Sequence, residues 1–150
     1  MKTLLFFSSA LVLAGLADRA LADDIRPGLW KIAVTAAVAA SPDWKPEPFD
    51  LTQCLTEADA RNPAQVMLGM GSPGATGCDF PSRQYAGNSL VFEVSCAGSL
   101  GIKGSGQVSY SATQLDGTLN VNFGGDEAVA MQSKIHAIYL GACPAGGGGL

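Results

Sequence analysis

Apolar and polar residues alternate along most of this chain with a period of two, the mark of half-buried β-strands. Leu29 to Val38 places Trp30, Ile32, Val34, Ala36 and Val38 on one face, with Lys31 and Thr35 on the other. A proline-containing loop, Ala39 to Pro48, separates it from a short second strand, Phe49 to Cys54. Beyond Gly98–Gly104, Gly106, Val108, Tyr110 and Ala112 point one way and Ser105, Gln107, Ser109, Ser111 and Thr113 the other. Asp116-Gly117 reads as a turn. Leu119, Val121 and Phe123 then alternate with Thr118, Asn120 and Asn122, Gly124 to Glu127 turns again, and Ala128 to Leu140 forms the last strand.

The period changes once. Thr56 can cap a helix start, with Asp59 three residues on as the acid of a capping box. Pro63 bounds that turn, and Ala64 to Met70 continues as a short helical piece before the loop Gly69–Gly77. The expected fold is therefore all-β in the main: an antiparallel meander of about seven strands, with one short helical segment near residues 57–70. With one face apolar and one polar, it forms a curved sheet or a partly open barrel.

Between these pieces lies Cys78 to Cys96, a hairpin that begins and ends on cysteine. Centring its turn on Gly87 sets Cys78 opposite Cys96, Phe80 opposite Val94 and Ser82 opposite Phe92. Directly opposed residues lie within disulfide reach. Pro81 removes a ladder donor and marks an edge or bulged strand. Pairing Cys78 with Cys96 leaves Cys54 with Cys143, a nested arrangement; sequential pairing is the alternative. By chain entropy each bridge is worth on the order of 3–5 kcal/mol.

Composition adds the compartment. Lys2, an apolar run from Leu4 to Ala17 and Ala20-Leu21-Ala22 have the form of a secretory signal peptide over residues 1–22. A cut after Ala17 is the other option. Residues 23–143 then make a single disulfide-stapled β domain, and residues 144–150 a disordered glycine-rich tail. Four cysteines with no C-x-x-C pair, and one histidine, read as disulfides of a periplasmic or secreted protein rather than a zinc site. The whole chain has 9 basic and 13 acidic side chains. Lys2, Arg19 and Asp18 leave with the leader, so the mature domain is more acidic still. Without a basic stripe it is not built to hold nucleic acid, and no further apolar run spans a membrane.

Several short motifs fall in one order: Arg26-Pro27-Gly28-Leu29-Trp30, Cys54-Leu55-Thr56-Glu57-Ala58-Asp59-Ala60, Cys78, Gly87-Asn88, Cys96, Gly104-Ser105-Gly106, Asp116-Gly117 and Gly141-Ala142-Cys143. In this the chain resembles the bacterial exported family catalogued as domain of unknown function 3617, over about Arg26 to Cys143. The resemblance implies an envelope protein with paired cysteines, and no activity.

Candidate chemistry is thin. Gly69-x-Gly71-x-x-Gly74 matches the dinucleotide fingerprint by letters, but lacks the strand before and helix after it. Ala97-Gly98-Ser99-Leu100-Gly101 echoes a nucleophile elbow without an α/β sheet, and His136 falls on the outer face beside Gln132, Lys134 and Ile138. Glu57 and Asp59 suit a helix start, Asp126 and Glu127 a solvated turn, and Glu93 stands mid-strand opposite Pro81. Trp30 and Trp44 suit packing better than sugar stacking. Met67 and Met70 have helical spacing, while Met131 and His136 face opposite sides of a strand, so no soft-metal site assembles. No catalytic, cofactor or metal residue is assigned; the site residues are the cysteines Cys78, Cys96, Cys54 and Cys143. The reading that follows is a non-enzymatic envelope protein that binds a small apolar ligand, a lipid or another envelope protein. The alternatives are an enzyme acting on an envelope polymer through Glu93, Asp126 or Glu127, and a structural assembly protein.

Overall fold

The structure is a computed structural model that describes residues 24–41, 43–44, 46–71, 77–98, 101–124 and 129–145. The expected leader, the tail beyond residue 145, Asp126, Glu127, Ser99 and Gly74 lie outside the described residues.

The strands are β1 (Gly28–Val38), β2 (Phe49–Leu55), β3 (Cys78–Asp79), β4 (Arg83–Ala86), β5 (Ser89–Cys96), β6 (Lys103–Tyr110), β7 (Gln114–Phe123) and β8 (Val129–Gly141). They form one antiparallel sheet in the order β2-β1-β8-β7-β6-β5-β3, with β4 also paired to β5. The sheet is open: β2 ends one side, and β3 and β4 the other. The meander closes on itself only in that β1, the first strand, lies against β8, the last.

One face of this sheet is the core. Trp30, Ile32 and Val34 of β1, Leu90, Phe92 and Val94 of β5, and Leu115, Leu119 and Val121 of β7 are all buried on it. Trp30 is fully enclosed because its indole N–H donates to the Arg26 carbonyl (2.9 Å), which meets the polar need of a buried ring.

Two helices cover that face where one helical segment was expected. Helix α1 (Glu57–Ala60) is a single turn held by a capping box. The Thr56 hydroxyl accepts from the Asp59 N–H (3.2 Å), and the Asp59 carboxylate accepts from the Thr56 N–H (2.8 Å). The chain breaks at Asn62, whose side chain accepts from the Gln65 N–H (3.4 Å), and restarts as α2 (Pro63–Gly71). Pro63 suits a first helical position, where its missing N–H costs nothing. Ala64, Val66, Met67, Leu68 and Met70 of α2 are buried, so this helix is apolar nearly all round and lies against β1, β5, β6, β7 and β8. It runs to Gly71, three residues into the segment expected as loop.

Two parts of the expected register change. The hairpin has a two-residue turn, Gly87-Asn88, with Ala86 opposite Ser89 and Gly87 at φ 57°, where a type II′ turn takes glycine. Arg83, not Ser82, therefore faces Phe92. Cys78 still faces Cys96, because the strand breaks between β3 and β4 around Pro81 and absorbs the one-residue slip. That break is also why eight strands replace about seven. Glu93 correspondingly lies beside Ser82, whose carbonyl takes its N–H (3.0 Å), rather than opposite Pro81.

The second change matters more. Asp116-Gly117 is no turn; it lies inside β7. The turn falls at 111–113, closed by the Ser111 N–H to the Gln114 carbonyl (2.8 Å) and the Gln114 N–H to the Ser111 hydroxyl (3.1 Å). Gly117 is glycine for another reason. A Cβ there would stand 2.5 Å from the Met67 methyl, so the missing side chain lets α2 seat on the sheet.

Candidate functional site

The other face of the sheet is open and polar. Its side chains form rows that cross the strands, each fixed by the antiparallel register. One row runs Ser89, Ser109, Asp116, His136 across β5, β6, β7 and β8, and continues through Ala33 of β1 to Asp50 of β2. The next runs Gln107, Thr118, Lys134, Thr35 across β6, β7, β8 and β1. A third runs Ser105, Asn120, Gln132, Ala37. The first two rows border a trough of about 570 Å³ that takes residues from five strands. A second hollow of about 410 Å³ adjoins the third row, beside Ala37, Asn120 and Gln132.

Within the trough His136 and Asp116 form a dyad, Nδ1 to Oδ1, at 2.6 Å. Gln114 donates its amide N–H to the other Asp116 oxygen (2.7 Å). Burial works against the Asp116 charge, but the hydrogen bonds from His136 and Gln114 and the nearby imidazole outweigh it. The carboxyl is held below its usual pKa. An ionised carboxylate only accepts, so His136 carries its proton on Nδ1 and leaves Nε2 as the uncommitted nitrogen. Both side chains are about half exposed, at 52% each.

Among the described residues the register sets no serine, threonine or cysteine beside the dyad's imidazole. His136 faces Asp116 on one side and Ala33 on the other, neither a nucleophile. Ser89 and Ser109, at the far end of the row, are 3.2 Å apart and bonded to each other. Glu93 lies outside the trough, and Glu57 pairs with Arg61 (3.3 Å). Asp59 is spent on the helix cap. Trp30 is core and Trp44 is exposed in the loop before β2, so neither borders the trough. Met67 and Met70 are buried under the sheet, away from His136. Among the described residues no three His, Cys, Asp or Glu side chains gather to hold a metal ion.

The cysteines come together in the two expected pairs, at disulfide distance. Cys54 and Cys143 have Cα atoms 5.6 Å apart, and Cys78 and Cys96 have theirs 3.9 Å apart. The first pair ties edge strand β2 to the segment after β8, and the second ties β3 to β5.

Reading the sequence missed Asp116 as the partner of His136. Taking Asp116-Gly117 as a turn removed it from the sheet. The signal that finds it is Ser111 to Thr113, a hydroxyl-rich turn that lets β7 begin at Gln114.

A family model described as protein of unknown function (DUF3617) matches residues 25–143. The chain belongs to this family. Among the described residues the match takes in β1 to β8, α1 and α2, from Ile25 in the core to Cys143. Membership brings no activity and no functional residues with it. No curated protein and no solved structure matches the chain. Among the described residues no helix is long and apolar enough to cross a membrane.

Proposed function

We propose that this DUF3617 protein is a non-enzymatic binding module of the cell envelope, periplasmic or secreted, and that it binds through the open face of its sheet. One observation carries this reading. The apolar face is filled by α2 and the surrounding core, whereas the polar face holds a trough bordered by five strands. A small apolar ligand or lipid chain would want the first face and finds it occupied. The second face offers amides, hydroxyls and charges, and suits a polar molecule or a polar segment of an envelope protein. The paired cysteines and the leader pattern support the compartment.

The His136–Asp116 dyad favours a second reading, an enzyme in which His136 draws a proton from water. An ionised partner holds the imidazole in the tautomer a general base needs. Against it, no second carboxylic acid that could protonate a leaving group lines the trough among the described residues.

Native mass spectrometry of protein isolated from its own envelope tests the binding reading. The wild type should carry a co-purifying species that Ala33→Trp, which fills one side of the trough, loses. An empty wild type, or a species retained by Ala33→Trp, counts against the open face as the binding surface.

A further inference from the structure

The polar rows of the open face differ in how far their hydrogen-bonding capacity is used. In the dyad row, Ser89 meets Ser109 at 3.2 Å, and Asp116 is held by His136 and Gln114. In the third row, the Gln132 amide donates to Asn120 at 2.9 Å. Towards β2, Lys31 meets Asp50 at 3.0 Å. The row between the dyad and the Asn120–Gln132 pair is different. Among the described residues the side chains of Gln107, Thr118, Lys134 and Thr35 make no hydrogen bond or ion pair.

These four stand side by side on four adjacent strands, along the trough. Lys134 offers three N–H donors and a full positive charge, with a threonine hydroxyl directly on either side of it and the Gln107 amide beyond Thr118. A protein this acidic could have set one of its carboxylates against that lysine. Asp116, in the adjacent row, is held by His136 and Gln114 instead.

We infer that the Gln107–Thr118–Lys134–Thr35 row is a binding site for an oxyanion group, a phosphate or carboxylate borne by the ligand. This deepens the reading of the open face as the binding surface and rests on it. The lysine supplies the charge, and the two threonines and the glutamine supply directed donors that fix where the oxygens sit. Asp116 sets a limit on the affinity, since its charge opposes the ligand's from the adjacent row. The other charged groups nearby on this face are spent on each other, Lys31 with Asp50, or stand outside the trough, Glu93 with Lys103.

The test uses the mature protein and two plain probes, inorganic phosphate and acetate, titrated at constant ionic strength and followed by 15N NMR. Saturable shifts centred on Thr35, Gln107, Thr118 and Lys134 are expected, weakened at least tenfold in Lys134→Gln and largely kept in Lys134→Arg. Shifts that never saturate, that chloride reproduces, or that survive Lys134→Gln overturn the assignment. Sedimentation with phosphatidylglycerol vesicles, against phosphatidylcholine vesicles, then separates the sources. Lysine-dependent sedimentation places the oxyanion on a lipid headgroup, and saturable phosphate binding without sedimentation places it on a soluble molecule. Sedimentation unchanged by Lys134→Gln counts against the site. A species that co-purifies equally with wild type and Lys134→Gln, but is lost from Ala33→Trp, overturns the oxyanion while leaving the open face as the binding surface.

Discussion

Asp116 is a carboxylate whose charge this fold favours, and the sign of its effect on stability follows. Its folded-state pKa is lowered, chiefly by hydrogen bonds from His136 and Gln114 that overcome the cost of burial. The pairing therefore stabilises the fold above about pH 4, where the unfolded carboxylate is ionised too. That contribution fades as pH falls through the lower folded value. Denaturant unfolding of wild type and Asp116→Asn should show a gap at pH 7 that closes below about pH 4. A gap that stays constant down to pH 3 would mean the dyad does not hold the charge. Half exposure puts the effect at the small end, since water screens it. The same substitution takes away a negative charge beside Lys134, so phosphate affinity at low salt should rise, by roughly twofold.

At the scale of the elements, the inner-face glycines of β6 and β7 decide how closely the layers approach. A Cβ on Gly106 would overlap the Phe92 ring, and Gly117 makes room for Met67. Gly106→Val should cost about 2–3 kcal/mol, read as a lower denaturation midpoint, because the ring has packed neighbours behind it. No loss would mean that Phe92 swings aside. The same glycines explain what the sequence could and could not convey. Alternation located the strands and their buried faces, since burial on one side leaves a period of two whatever the neighbours are. The Thr56–Asp59 cap was legible because it is local, and Cys78 opposite Cys96 because the one-residue slip from the shorter turn is absorbed at Pro81, which already read as an edge or bulged position. Asp116-Gly117 misled because a glycine has one letter for two uses, a turn and a close approach, and only the packed helix tells them apart. The trough was illegible for a related reason. Its rows join residues on four or five strands, and strand order, with β1 beside β8, is a property of the assembled sheet.

For the whole molecule, the cysteine pairs close both flanks of the open sheet. Peptide mapping without reduction should recover Cys54 linked to Cys143 and Cys78 linked to Cys96. Cys54 linked to Cys78 would contradict the nested arrangement. Replacing both Cys54 and Cys143 with alanine should lower stability by about 3–5 kcal/mol, the larger of the two losses, because that bridge spans 89 residues against 18. The adjacency of β1 and β8 has a further consequence, in time rather than in space. A chain that emerges N-terminus first presents Trp30, Ile32 and Val34 about a hundred residues before their neighbours on β8 exist. Until Gly141 emerges, the β1–β2 hairpin has a bare edge and a bare apolar side. The sheet can be completed only once nearly the whole chain has been made. Up to that moment its apolar strand faces lack their neighbours, the condition in which incomplete chains aggregate.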